Sequence, residues 1–306
     1  MSLAFHLLAH KNPAQLSRLL DAIWAPDNLY VIHYDKRRPR AEHQMVRALA
    51  EKRSNVIIQP PRAVLWGRFS LLRAQLDGLR IAAAHGQDWT HWINLSGQCY
   101  PIISPADLIA ASSEVTGTSF VRHFRPLIKD ESDWPNNADR LIRWHLDRPS
   151  LEWWLRLPAI GRRLRRIFGG ENAVPSLPLI RKPMPKDFVW YGGDNWVVLS
   201  REASMHILTS PQAASIISAL RHSAFPEESV FQSVLMNSVL SSRVVNRHRR
   251  AINWRHDMAS PTPFTEADWP TLTQAINDGS WFARKFEAGA PVLDMIDTHL
   301  LHHTTP

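Results

Sequence analysis

Two adjacent carboxylates, Glu227 and Glu228, follow Pro226 where a helical stretch begins. Proline at the first helical position and acids in the first turn suit a helix N-terminus, whose partial positive charge favours a carboxylate by about 0.3–1 kcal/mol. The same place also suits a general base. Glu228 lies three and seven residues before Phe231 and Leu235, so a helix there would give it their inward face. Apolar surroundings would raise its pKa towards a useful range, and the helix dipole would oppose the rise. Glu227 is nearly as well placed, and the spacing does not choose between them.

Phosphate-holding chemistry needs cations, and Arg249, Arg250 and Lys285 are the candidates. Arginine offers a planar fork of donors and lysine a point charge. Residues 247–250 also read as a solvated basic loop, the commoner role for isolated arginines. No Asp-x-Asp occurs; Glu131-Ser132-Asp133 and Glu266-Ala267-Asp268 are only near-matches. A nucleotide diphosphate would therefore be neutralised by Arg and Lys, and neither Mg²⁺, Mn²⁺ nor any other cofactor is expected. His6, His10 and His33 come from the first two apolar runs and His302-His303 from the tail. No His-x-x-x-His pair brings a third ligand, so they read as structural or surface groups. The absence of a Gly-x-Gly-x-x-Gly or Walker pattern argues against a dinucleotide dehydrogenase and a P-loop ATPase.

The elements that must position these residues begin with a strand over residues 3–9, a helix opened by Asn12 as cap and Pro13, and a second strand over 29–34. Leu16, Leu19, Leu20 and Ile23 fall on one helical face. Strand, helix, strand in about 30 residues is a βαβ unit with parallel neighbours. Ligands bind beyond the carboxyl ends of such strands, where Asp35 and Lys36 sit. Further along, the pattern predicts a helix over 41–52, a strand over 55–58, and a helix capped by Ser70. A central strand over 89–95 delivers the turn Ser96-Gly97-Gln98-Cys99-Tyr100-Pro101. Helices from Ser104-Pro105 and Arg201, strands over 119–123 and 189–199, and a last helix over 290–301 follow. Residues 130–188 break the rhythm with helical stretches over 136–146 and 150–168, a helical insertion on one side of the sheet.

The chain has 306 residues, 44% of them hydrophobic, and a net charge of +8. The basic balance favours anionic partners: nucleotide phosphate, nucleic acid or an anionic membrane. Nucleic acid is set aside, because no recognised motif accompanies the scattered basic runs. Ile160, Leu164, Ile167 and Phe168 make one helical face with Arg162, Arg163, Arg165 and Arg166 around it, below Trp153 and Trp154. Such a segment can lie on an anionic membrane or pack as a basic helix on the sheet. A single cysteine excludes an internal disulfide, and no stretch reaches the roughly 18 apolar residues of a membrane span.

Seven stretches then resemble one family in order: LAFHLLAH, LYVIHYDK, VLWGRFS, WINLSGQCYP, YGGDNWVVLSRE, FPEESVFQSVLMNS and WFARKF. The chain resembles the core 2/I-branching β-1,6-N-acetylglucosaminyltransferase family, which includes peptide O-xylosyltransferases. The resemblance spans the chain outside 130–188. It implies one α/β domain over 1–306 with a GT-A-like fold, a central mostly parallel sheet flanked by helices. It also implies metal-independent, inverting transfer of GlcNAc or xylose from a UDP-sugar to the hydroxyl of a glycan, lipid-linked saccharide or peptide. A degenerate site that only binds carbohydrate or nucleotide is the alternative. By motif position Glu228 is the base, Asp35 meets the uridine part, and Lys285 reaches the diphosphate with Arg249 or Arg250. Leu8, His10, Trp66 and Gly67 belong to the donor side; Gln98, Asp194, Asn195, Trp196 and Glu227 belong to the sugar and acceptor side. Cys99 departs from the acidic residue usual in Ser-Gly-Gln-Asp-Tyr, and Glu227 from the usual Asp. The family's animal members are disulfide-bonded and membrane-anchored in the Golgi. The lack of those features here implies a bacterial-type cytoplasmic enzyme, peripheral at the inner membrane face.

Overall fold

The computed structural model describes residues 1–134, 139–145, 176–254 and 260–302. The elements in order are β1 (Ser2–Ala9), α1 (Pro13–Ala22), β2 (Leu29–Tyr34), α2 (Arg40–Glu51), β3 (Val56–Ile58), α3 (Phe69–Ala84), β4 (Trp89–Ser96), β5 (Cys99–Pro101) and α4 (Pro105–Glu114). Then come β6 (Ser119–Phe124), α5 (Asp139–Ile142), β7 (Arg143–His145), β8 (Ser176–Arg181), β9 (Gly192–Ser200), α6 (Arg201–Thr209) and α7 (Pro211–Ala219). A 3₁₀ turn (Pro226–Glu228), α8 (Val230–Met236), β10 (Val244–Val245), β11 (Arg250–Ile252), α9 (Trp269–Asn277), β12 (Phe282–Arg284) and α10 (Pro291–His299) complete them.

Seven strands form the central sheet in the order β3-β2-β1-β4-β9-β6-β10, with β4 in the middle. All run parallel except β9, which is antiparallel to both β4 and β6. This is the expected α/β architecture, a mostly parallel sheet between helices. Alternation along the strands makes it two-sided. Leu3, Phe5 and Leu7, with Tyr30 and Ile32, face α1, α2, α4, α9 and α10. Ala4, Leu29, Val31 and Trp92 face α3, α6, α7 and α8. Leu16, Leu19 and Leu20 of α1 are fully buried, as their spacing predicts, each contributing about 1.5–3 kcal/mol of gross transfer energy. A small sheet, β11-β12-β5, leans on the first face.

Several local expectations are corrected. Asn12 does not cap α1 through its side chain; it sits in the left-handed region at φ 55°, and Pro13 alone starts the helix. Ser70 lies inside α3, where its hydroxyl accepts from Leu65 N–H at 2.9 Å and pins the preceding loop. Ser104 does cap α4, accepting from Asp107 N–H. The helix expected over 136–146 is, among the described residues, the single turn α5 followed by β7, which pairs antiparallel with β8. The basic stretch 150–168 lies outside the described residues. Among those described, no helix is long and apolar enough to cross a membrane.

Candidate active site

The carboxyl ends of β1, β2, β4 and β6 and the start of β9 share one edge of the sheet, because β9 runs the opposite way. Asp35 follows β2 and is buried. Its Oδ1 accepts from Arg37 N–H and Nε–H at 2.8 and 3.0 Å, and its Oδ2 from Arg37 Nη2 at 2.9 Å and Val64 N–H at 3.1 Å. Burial pushes this carboxyl up, but the guanidinium and the two amides outweigh it and hold the pKa below the usual carboxylate range. A ligand reaching Asp35 must share it with Arg37. Beside it, His10 is exposed at the end of β1 and Leu8 half-buried. Desolvation and the cations Lys11, Arg38 and Arg284 hold His10 below its ordinary value, against Asp35. His6 is a core group, fully buried and bonded to Gln59, with burial pushing it down to about 3; His33 is buried and accepts from Arg62 N–H.

The loop after β3 joins this end to the carboxylate turn. Lys36 N–H donates to the Arg62 carbonyl, Val64 to Asp35, and Phe225 N–H to the Gly67 carbonyl at 3.1 Å. Gly67 has φ +68°, a left-handed conformation that glycine adopts without a Cβ penalty. Trp66, 64% exposed, packs edge-on against Phe225 with ring centroids 4.7 Å apart. Phe225 is itself left-handed at φ 51°, and Pro226–Glu228 continues as a 3₁₀ turn instead of the expected first turn of a helix.

That geometry separates the two acids. Glu227 is 2% exposed, and its Oε2 has no hydrogen-bond partner. Burial and the neighbouring Glu228 charge push it up to about 8. Glu228 keeps a quarter of its side-chain surface open, and its Oε2 accepts from Arg140 Nη1 at 2.7 Å. It does not take the inward face of Phe231 and Leu235 that a continuous helix would have given it. Burial pushes it up to about 7, Arg140 pulls it down and Asp194 pushes it up. Asp194 stands at the start of β9, with its Oδ2 at 3.3 Å from Arg122 and 3.0 Å from His248 Nε2. Burial raises it, but His248 and Arg122 outweigh that and hold it low. Its neighbour Gly193 is required by packing: a Cβ there would sit 1.9 Å from the Arg122 carbonyl oxygen. Asn195 Oδ1 accepts from Gln75 at 2.7 Å, and its carbonyl accepts from Asn94 Nδ2 at 2.8 Å.

The cations gather on the small sheet. Arg284 donates to the Ser96 hydroxyl and lies 4.6 Å from the Trp196 ring centroid. Lys285 is half-buried, with Nζ on Ser260 Oγ at 3.0 Å. Gln98 follows Ser96; its carbonyl accepts from Phe286 N–H at 3.0 Å and its Nε2 is 3.5 Å from Glu287. Arg250, 3% exposed, donates to the Asn94 carbonyl and stacks near Trp196 and Phe282. Burial drives its pKa down to about 10, with Cys99 facing it on the next strand but one, where the family pattern has an acid. Arg249 points the other way, between the rings of Phe120 and Trp281, with Nη1 on the Gly279 carbonyl at 2.8 Å. Neither of the two expected arginines is therefore an open partner for Lys285. Arg284 is the arginine adjacent to Lys285, half-buried against Trp196, and its place in WFARKF was the available signal. Arg140 and Arg37 were missed as well. Arg37 had a signal two residues after Asp35; Arg140 had none. Among the described residues, no group of three or more His, Cys, Asp or Glu side chains could hold a metal ion.

The model of the family described as Branch: Core-2/I-Branching enzyme matches residues 3–277. Xylosyltransferase 2 of Homo sapiens is 28% identical over 319 residues, covering 97% of this chain and 33% of its own length. Xylosyltransferase 1 of Homo sapiens is 27% identical, covering 97% and 30%. The chain thus spans about a third of the length of these curated relatives. A solved galactosyltransferase, LgtC, in complex with donor and acceptor sugar analogs, aligns over 100% of this chain and 98% of its own at TM-score 0.42 and 8% identity.

Proposed function

The chain belongs to the core-2/I-branching enzyme family, and from that membership we propose that it is an inverting, metal-independent glycosyltransferase. It moves GlcNAc or xylose from a UDP-sugar to an acceptor hydroxyl on a glycan, lipid-linked saccharide or peptide. The observation that carries this reading is the division between Glu227 and Glu228. Glu228, part-exposed and pushed to about 7, is accessible to an acceptor and near the optimum for a base at neutral pH. Glu227, sealed and pushed to about 8, is not.

In the reaction, the Glu228 carboxylate takes the proton of the acceptor hydroxyl as its oxygen attacks the anomeric carbon. The bond to the UDP oxygen breaks on the opposite face. One displacement with one base inverts the centre, the same geometric logic that water activation follows in inverting glycosidases. Lys285 and Arg284 meet the charge that develops on the leaving diphosphate, a fixed electrostatic role that needs no reorganisation. Asp35 and Arg37, beside His10 and Leu8, hold the uridine end. Trp196 and Asn195 line the sugar between the two ends, next to Asp194 and Gln98.

The test is UDP release from UDP-GlcNAc and UDP-xylose, with UDP affinity measured in parallel. Glu228→Gln is expected to lower turnover 10²–10⁴-fold with UDP binding intact, the usual cost of losing a general base. Turnover surviving within about tenfold rejects Glu228. Absence of turnover with either donor in the wild-type protein favours a site that only binds.

A further inference from the structure

The ion pair on Glu228 comes from far away in the chain. Arg140 belongs to α5, 88 residues before its partner. Its guanidinium is held from two sides, 5.0 Å from the Trp134 ring and 4.8 Å from the Phe225 ring. The backbone is tied to the same loop, because Ala224 N–H donates to the Arg140 carbonyl at 3.0 Å. Two aromatic faces and a backbone bond leave the fork little freedom, so it fixes where Oε2 of Glu228 lies. The bond is made by Nη1 to Oε2 alone, and Oε1 takes no hydrogen bond from the described residues. One carboxylate oxygen is clamped and the other is left for a substrate proton.

We propose that Arg140 is a positioning residue that orients the Glu228 carboxylate and sets the pH range in which it is ionised. The proposal deepens the reading of Glu228 as the base and rests on it. Among the described residues, the other charges around Glu228 are these. Glu227 precedes it in the turn, sealed from solvent. Asp194 reaches it from β9, itself engaged by Arg122 and His248. Helix α3, which packs on the turn, begins after Arg68 and carries Arg73, Asp77 and Arg80, joined to one another in ion pairs, and α8 carries no charged side chain. Among the described residues Arg140 is the cation hydrogen-bonded to Glu228, so its removal leaves burial and Asp194 to oppose ionisation.

The measurement is a titration of the Glu228 side-chain carboxyl carbon by ¹³C NMR in the intact chain, with Glu228→Gln assigning the resonance. Arg140→Met removes the charge and every donor; Arg140→Gln removes the charge and the fork and keeps one shorter neutral donor. Each variant's fold is checked by its melting curve. The midpoint is expected to rise by roughly 1–3 pH units in either folded variant, the range for losing a contacting opposite charge. An unchanged midpoint in a folded variant overturns the proposal, because a merely structural arginine would leave it unmoved. Loss of the fold in both variants also overturns it and makes Arg140 a structural residue. The base reading fails separately: Glu228→Gln that still releases UDP rejects the base while the measured coupling to Arg140 stands.

Discussion

The two acids of the 226–228 turn differ in what folding does to them. Glu227 has a folded pKa of about 8 against an ordinary value of 4.5. Its protonated form is the one the fold favours. Below pH 4.5 both folded and unfolded chains hold the proton, and no stability is lost; between about 4.5 and 8 the unfolded chain releases it first, so stability falls as pH rises and then levels off. Glu227→Gln, neutral at every pH, is expected to melt close to wild type at pH 5 and clearly higher at pH 9, by an amount on the order of 1–3 kcal/mol. Melting curves at the two pH values check this, and a higher melting point of the variant at pH 5 with none at pH 9 would reverse the sign. Little of this was legible in the sequence. Pro226 and two acids signal a helix start, but the left-handed Phe225 makes a 3₁₀ turn that sends one carboxylate inward and its neighbour towards Arg140.

At the scale of elements, the site depends on β9 running against its neighbours. Antiparallel pairing brings Gly192 and Gly193 to the end of β6 and sets Asp194 beyond the end of β4. The crossing is close enough that Gly193→Ala places a methyl group 1.9 Å from the Arg122 carbonyl oxygen and 2.8 Å from Gln232 Nε2. Backbone must move, and the variant is expected to lose about 1–3 kcal/mol or more, read from urea melts. Wild-type stability in that variant would contradict so tight a crossing. The βαβ unit was readable because short continuous apolar runs, buried along nearly their whole length, and an i, i+3, i+4 stripe are local signals. The cap on α1 was not, since Asn12 adopts a turn conformation that its residue type allows but does not demand. Arg140 was hidden for a simpler reason: its partner is 88 residues away, and no local pattern links the two.

Within the whole molecule's net charge of +8, Arg250, Arg284 and Lys285 stand together on and beside the small sheet beyond β4. If they neutralise the diphosphate, UDP should bind with the same affinity in EDTA and in Mn²⁺. Arg284→Ala and Lys285→Ala should each weaken binding roughly 10–100-fold, the value of a charge-assisted contact. Calorimetry decides it, and binding only with Mn²⁺ would require a metal ligand set instead. The family resemblance points to Lys285 and leaves its partner between Arg249 and Arg250, which look open in sequence and are each packed against aromatic rings in the fold. One connection cuts across all these scales. The same short loop, residues 62–67, touches Asp35 through Val64 and the carboxylate turn through the Gly67 carbonyl. Kinetic constants from variants in that loop will not sort into affinity and chemistry: a shift at either end is transmitted along six residues to the other, so KM and kcat change together.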